Sequence, residues 1–394
     1  MAVPAGASAI RDVEEGSIVP TDVRSTVGRA LWMALPAWVV SRVLVLVALV
    51  AAHLAAGHVR PGDPAVRARL AQGLVAWDGG WYQTIAEHGY GSAGREALRF
   101  FPLFPMLGRG IGAVPGLGTA VALVVLANLA TLGALAFVWL LIRDDLGDEG
   151  LARRSVWLLA LAPASYATAL AYADGLLLLA VVATFWAVRT DRWWWAAGFG
   201  LAAGAVRPLG LLLVVPVVAQ WWLSRRQGIG PGGLVARVAA VTAPIVGAGG
   251  YLLWVASRFG NAWLPFTVQE QSGHRGRLTV PLVAMWDDLV AALHGHHLGS
   301  ALHLPWVVVA VALVALTWWR LPAPYAIYAT VVVAASLSSS NLDSFERYAL
   351  GAFPLIVAAS TLTARRSIER VVLVVSGLLM VGYATLAFLN VVVP

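Results

Sequence analysis

The residues best equipped for chemistry sit together in Trp77-Asp78-Gly79-Gly80-Trp81-Tyr82, Ile85-Ala86-Glu87-His88-Gly89-Tyr90 and Phe100-Phe101-Pro102-Leu103-Phe104-Pro105. A carboxylate among aromatic rings suits a sugar, because rings stack on C–H faces while the carboxylate accepts from hydroxyls. Asp78 could also take a proton from a reacting hydroxyl as a general base. Trp77, Trp81, Tyr82 and Tyr90 would then shape the pocket, with Glu87 and His88 as further polar contacts. A plainer reading has the rings anchor an interfacial helix while Asp78 caps a helix over Gly79–Glu87. Asp78, Glu87 and His88 could also hold a divalent cation, although their spacing does not require one.

A second group is cationic: Arg207, the run His274-Arg275 with Arg277, and Arg347. Arginine presents a planar, permanently charged fork that matches phosphate. Contact with lipid headgroups, or pairing with Asp174 and Glu346, would also account for them. Asp174 lies between two apolar runs, where an ionisable group suggests a functional role; an Asp-Gly turn is the simpler reading. His294, His296, His297 and His303 have no carboxylate at ligand spacing and read as surface histidines.

The elements that must position these groups are membrane spans. Of 394 residues, 60% are hydrophobic and 12% charged, with mean hydropathy +0.78. A soluble domain is about half apolar and a quarter charged, so lipid is the only solvent that accepts this chain. Apolar runs at 31–56, 119–142, 155–172, 174–190, 193–206, 208–223, 234–257, 304–319, 323–340, 349–364 and 371–393 give about eleven helices. Runs 155–190 and 193–223 read as two hairpins with tips at Asp174 and Arg207-Pro208. With no cysteine, disulfides and thiolate metal sites are excluded. The net charge of +7 does not point to nucleic acid, because the arginines gather at span ends, as orientation in a membrane requires.

Residues 1–30 lack the apolar core of a cleavable signal and read as a disordered cytoplasmic tail. Alternation from there puts Arg143, Arg153, Arg154, Arg189, Arg192, Arg225, Arg226, Arg320, Arg365, Arg366 and Arg370 inside. Two long segments, 58–118 and 258–303, and the cationic group then fall outside a bacterial plasma membrane. Residues 31–394 form one transmembrane domain.

The order of motifs resembles the PIG-V-like mannosyltransferases, relatives of the enzyme that adds the second mannose to glycosylphosphatidylinositol, within the GT-C superfamily. The resemblance rests on Trp77-Asp78, on the motifs at 85–90 and 100–105, on Ala162-Pro163-Ala164-Ser165 with Ala171-Tyr172-Ala173-Asp174, on Arg207-Pro208-Leu209-Gly210 and on Arg347-Tyr348. This chain has Ala162 where the family has Asn, and Ala173-Asp174 where it has Ser-Glu. The resemblance implies an all-α GT-C fold with a helical first extracytoplasmic loop, a catalytic aspartate there, and a polyprenyl-phosphate sugar as donor. It gives no certain cofactor. The expected reaction moves mannose from polyprenyl-phosphate-mannose to a lipid-linked acceptor, with Asp78 as base and Arg207, Arg347, His274, Arg275 and Arg277 as candidates to hold the phosphate. The alternatives are a lipid-linked-sugar carrier or flippase without chemistry, a transferase for another polyprenyl-phosphate sugar, and a non-catalytic assembly subunit.

Overall fold

The computed structural model describes residues 23–225, 233–271, 275–294 and 302–394. Helix α1 (Val23–Val59) leads into a loop of short helices, α2 (Pro64–Gln72), α3 (Asp78–His88), α4 (Tyr90–Ala93) and α5 (Leu103–Gly112). Next come α6 (Thr119–Leu146), α7 (Glu149–Leu161), α8 (Asp174–Arg189), α9 (Trp193–Val206), α10 (Val214–Ser224) and α11 (Gly233–Phe259). A second loop carries α12 (Leu264–Gln269) and α13 (Pro281–Leu293). The rest is α14 (Leu304–Arg320), α15 (Ala323–Leu337), α16 (Phe345–Leu350), α17 (Pro354–Thr361) and α18 (Arg366–Phe388). Helix α1 begins at Val23, inside the stretch expected to be tail. Helices α1, α6, α11 and α18 are each long and apolar enough to cross a membrane alone. The fold is an all-α, multi-pass membrane architecture.

Three expected spans are broken rather than continuous. Run 155–172 ends as a helix at Leu161, and Pro163–Ala169 forms a 3-10 segment bent by 105° from α8. Run 208–223 opens as a 3-10 segment over Pro208–Leu213, and run 349–364 divides between α16 and α17. A proline opens the second piece or the interrupting turn each time, because it lacks an N–H and disfavours helix in the residue before it. All three breaks lie at one end of the bundle. Irregular backbone at membrane depth is tolerated where it lines a cavity; Pro208 and Leu209 line the main cavity, and Thr168, Leu350 and Gly351 a small one beside Asp174.

The opposite end is closed by ion pairs. Arg29 meets Glu149 at 3.1 Å, Arg153 meets Glu369 at 2.8 Å and Arg189 meets Asp145 at 2.7 Å. The Tyr325 hydroxyl donates to Asp145 at 2.7 Å. These contacts collect the starts of α1, α7, α15 and α18 with the ends of α6 and α8, so the bundle alternates direction as the arginine positions required.

Small residues let helices approach closely where van der Waals packing, not the hydrophobic effect, holds them together. Helix α9 crosses α11 with Gly204 against the Pro244 carbonyl and Gly247 against the Leu201 carbonyl. A Cβ at Gly204 would collide with backbone, whereas at Gly249 it meets open space. Gly204→Ala is therefore expected to cost about 1–3 kcal/mol by overpacking, read as a lower Tm in detergent, with Gly249→Ala near wild type. Equal Tm values for the two would mean that the α9–α11 crossing is not tight.

Candidate active site

At the end of the bundle with the broken spans, the two loops, Tyr172, the turn at 207–209 and the segment 341–348 surround a cavity of about 460 Å³. Its lining includes Trp77, Asp78, Trp81, Tyr82, Arg207, Arg275 and Arg347. Asp78 starts α3, directly after Trp77, a non-glycine residue at φ 62°. That left-handed conformation carries strain, which here is held by the Trp77 indole donating to the Ala387 carbonyl at 3.1 Å and by Arg69 stacked 3.9 Å above the ring. The Asp78 carboxylate does not cap its helix. It faces Arg347, with Oδ2 3.1 Å from Nη1, and the Asp78 backbone N–H donates to the Tyr172 hydroxyl at 3.3 Å.

Asp78, Arg207 and Arg347 on the cavity floor alternate with Asp174 directly beneath it. Arg207 donates to Asp174 at 2.8 Å and lies 4.0 Å from Asp78, while the Arg347 Nε is 3.8 Å from Asp174. Asp174 is 9% exposed and Arg347 6%. Each broken span contributes one of these residues, Asp174 after the 163–169 turn, Arg207 before Pro208 and Arg347 before the α16–α17 break. Gly175 seats the start of α8 against Thr131 and the Ala127 carbonyl, and Gly210 lies under the Ala203 carbonyl at the end of α9. Those contacts fix where Asp174 and Arg207 emerge.

Around Tyr348 three guanidiniums converge, Arg275 at 4.2 Å, Arg347 at 5.2 Å and Arg207 at 5.8 Å from the ring centre. Burial alone would raise the Tyr348 phenol, but those three charges outweigh it and hold it below its ordinary value. On the opposite wall, burial pushes the Tyr82 phenol up to about 12, so it stays protonated as a donor. Trp81 stacks with Phe100, and Arg99 lies over both rings.

Several expected site residues lie elsewhere. Glu87 and His88 are exposed, and Glu87 accepts from Gln83 at 2.8 Å within α3. Glu87 is nine residues from Asp78, about 13 Å along the helix and half a turn round it, so the three do not converge on a cation. Among the described residues no group of three or more His, Asp or Glu is placed to hold a metal. Tyr90 is a packing residue that donates to the Phe100 carbonyl at 2.7 Å and packs at a tilt against Tyr251 and Trp254. Arg277 is exposed, outside the cavity lining. His274, His296 and His297 lie outside the described residues. His294 is exposed as expected, but His303 is fully buried, with Nδ1 2.5 Å from the Glu346 carboxylate.

The cavity also contains Arg69, Arg99, Tyr172, Gln269, Asn341, Asp343 and Tyr348, which motif reading did not select. Tyr172 and Tyr348 stand inside the motifs beside Asp174 and Arg347 and were within reach. Arg69 was not, because only the return of α2 over Trp77 brings it in.

Neither a protein-family model nor a curated protein sequence matches the chain. Among solved structures, ArnT from Cupriavidus metallidurans bound to undecaprenyl phosphate aligns over 83% of this chain and 76% of its own, at 15% identity and TM-score 0.52. The Archaeoglobus fulgidus oligosaccharyltransferase, in complex with zinc and sulfate, aligns over 73% of this chain and 44% of its own, at 13% identity and TM-score 0.42. The same enzyme tethered to an acceptor peptide gives 11% identity and TM-score 0.39 over 73% of this chain and 47% of its own. The fold assignment rests on the first alone, and it is the GT-C fold.

Proposed function

We propose that this protein is an inverting glycosyltransferase that moves mannose from polyprenyl-phosphate-mannose to a lipid-linked acceptor. The observation that carries the reading is one cavity in which Asp78 faces phosphate-competent arginines. The polyprenyl lipid of the ArnT structure supports a lipid-phosphate donor, and mannose comes from the motif resemblance to PIG-V-like enzymes.

The donor enters sideways from the bilayer, and its phosphate takes a place beside Arg347, Arg207 and Arg275. Asp78 then gives up part of its contact with Arg347 and accepts the proton of the acceptor hydroxyl. The hydroxyl oxygen forms a bond to the anomeric carbon as the bond from that carbon to the phosphate oxygen breaks with inversion. The electron pair stays on the departing polyprenyl phosphate, which goes from one negative charge to two. Five arginines and two aspartates line the cavity. That cationic surplus favours the charge that grows on the leaving group, the main way such sites lower a barrier. Trp81 and Phe100 offer faces for the sugar.

The test is transfer in detergent, with radiolabelled polyprenyl-phosphate-mannose and a total lipid extract, with and without chelator. Label in a new lipid supports the reading and identifies the acceptor. Loss of transfer with chelator would assign a divalent cation to the reaction. Transfer only from another polyprenyl-phosphate sugar would replace mannose, and donor binding without turnover would favour a carrier.

The same reading places the cavity outside a bacterial plasma membrane and the N-terminus inside. The chain has no cysteine, so single cysteines report sidedness cleanly. Arg95→Cys, exposed near the cavity end, is expected to react with an impermeant maleimide on intact cells, and Ala364→Cys, exposed at the ion-paired end, only after lysis. The reverse result would invert the orientation.

A further inference from the structure

His303 is buried at 0% exposure, at the start of α14 where the second loop ends. Its ring lies between two carboxylates. Nδ1 is 2.5 Å from Glu346, which is itself buried, and Nε2 is 3.8 Å from Asp343, which lines the cavity. Glu346 immediately precedes Arg347, and Asp343 precedes Ser344, held at φ 64°. Other groups near this ring among the described residues include Tyr166, close enough to act on Glu346, Tyr383, whose hydroxyl donates to the Leu302 carbonyl at 2.8 Å, and Arg347.

A neutral imidazole has one donor and one acceptor. With Nδ1 donating to Glu346, a neutral ring would turn its acceptor nitrogen toward Asp343. Protonation makes that nitrogen a donor and sets one cation between two carboxylates. A buried carboxylate left without a cation is costly, and Arg347, next to Glu346 in the chain, is engaged with Asp78 and Asp174.

The same segment is gripped at its other end by the second loop. Arg275 donates to the Ser336 carbonyl at 2.7 Å, Asn341 N–H donates to the Arg275 carbonyl at 3.0 Å, and Leu278 bridges Ser339. We infer that His303, as an imidazolium held by Glu346 and Asp343, is a positioning residue that fixes segment 341–347 and thereby aims Arg347 at the cavity floor. The inference rests on the transferase reading only for what Arg347 binds. The latch holds as pH falls and releases as pH rises and the ring gives up its proton.

The experiment is a pH profile of transfer from about pH 6 to pH 9, the range in which an imidazole changes charge, for wild type, His303→Asn and Glu346→Gln. Asn keeps a donor near the Nδ1 position but carries no charge. Wild type is expected to lose about tenfold or more in kcat/KM for the donor across the range, the scale of a charge-assisted hydrogen bond. His303→Asn should be flat, low at acid pH, and meet wild type at alkaline pH. Glu346→Gln should move the alkaline fall to lower pH, and it keeps the idea testable if His303→Asn does not fold.

A folded His303→Asn enzyme that keeps the wild-type profile, or an unmoved fall in Glu346→Gln, would overturn the inference; a merely structural histidine lowers Tm and leaves the profile in place. If wild type turns nothing over, the transferase reading is what fails. Undecaprenyl phosphate affinity, measured across the same pH range, then reads Arg347 directly. Affinity that weakens with pH in wild type but not in His303→Asn supports the latch, and equal profiles remove it.

Discussion

Asp78→Asn is expected to lower transfer by about 10²–10⁴-fold, the contribution of a positioned general base, without raising the KM for donor. The carboxylate sits at the start of α3 with Oδ2 3.1 Å from Arg347, so the amide keeps the shape of the site but removes its proton acceptor. It also removes one negative charge from beside the guanidinium that receives the donor phosphate, which should leave donor affinity unchanged or slightly tighter. Folding should survive, because Arg347 still has Asp174 at 3.8 Å and Asp78 is not capping its helix. The readouts are kcat and donor KM together, with Tm as control. A loss confined to KM would make Asp78 a holder of Arg347 rather than the base, and retained turnover would remove it from the mechanism.

Arg207→Gln is expected to lose both stability and donor binding, for separable reasons. Arg207 pairs with Asp174 at 2.8 Å, with side chains 11% and 9% exposed. Removing one partner of a buried pair costs up to about 3–5 kcal/mol, less here because Asp174 keeps the Arg347 Nε at 3.8 Å. The double variant Arg207→Gln/Asp174→Asn removes both charges, so most of that loss should return as a recovered Tm. Donor affinity should not return, because a neutral floor offers the phosphate one cation fewer. Recovery of both would make the pair purely structural; recovery of neither would mean that Asp174 has a role beyond balancing Arg207.

The parts of this molecule set by local composition were legible in the sequence. Most apolar runs became continuous helix, since a span needs only enough consecutive apolar residues to cross the hydrocarbon, while runs 155–172, 208–223 and 349–364 broke at prolines. The arginines at span ends marked helix ends that gather at one end of the bundle, and Trp77-Asp78 marked the loop that lines the cavity. Asp78, Trp77, Trp81, Tyr82, Asp174, Arg207, Arg275 and Arg347 all meet there or directly beneath it. Glu87, His88 and Tyr90 belonged to the same motif, but helical geometry turned them away from Asp78. Residues adjacent in a motif share a helix, not necessarily a face.

What only the tertiary structure decided is which charges meet. Asp78 and Arg347 are separated by 269 positions, and no pattern along the chain pairs them. Their meeting depends on where the spans break at Pro163, Pro208 and Pro354, and on the close approach of Gly175 and Gly210 to neighbouring backbone. His303 makes the same point, since its loop composition reads as surface, yet the ring is enclosed by a segment forty residues later. Hydropathy is a sum over neighbours in sequence and so determines the spans. An ion pair depends on distance in space, and that distance is set by how the broken helices pack.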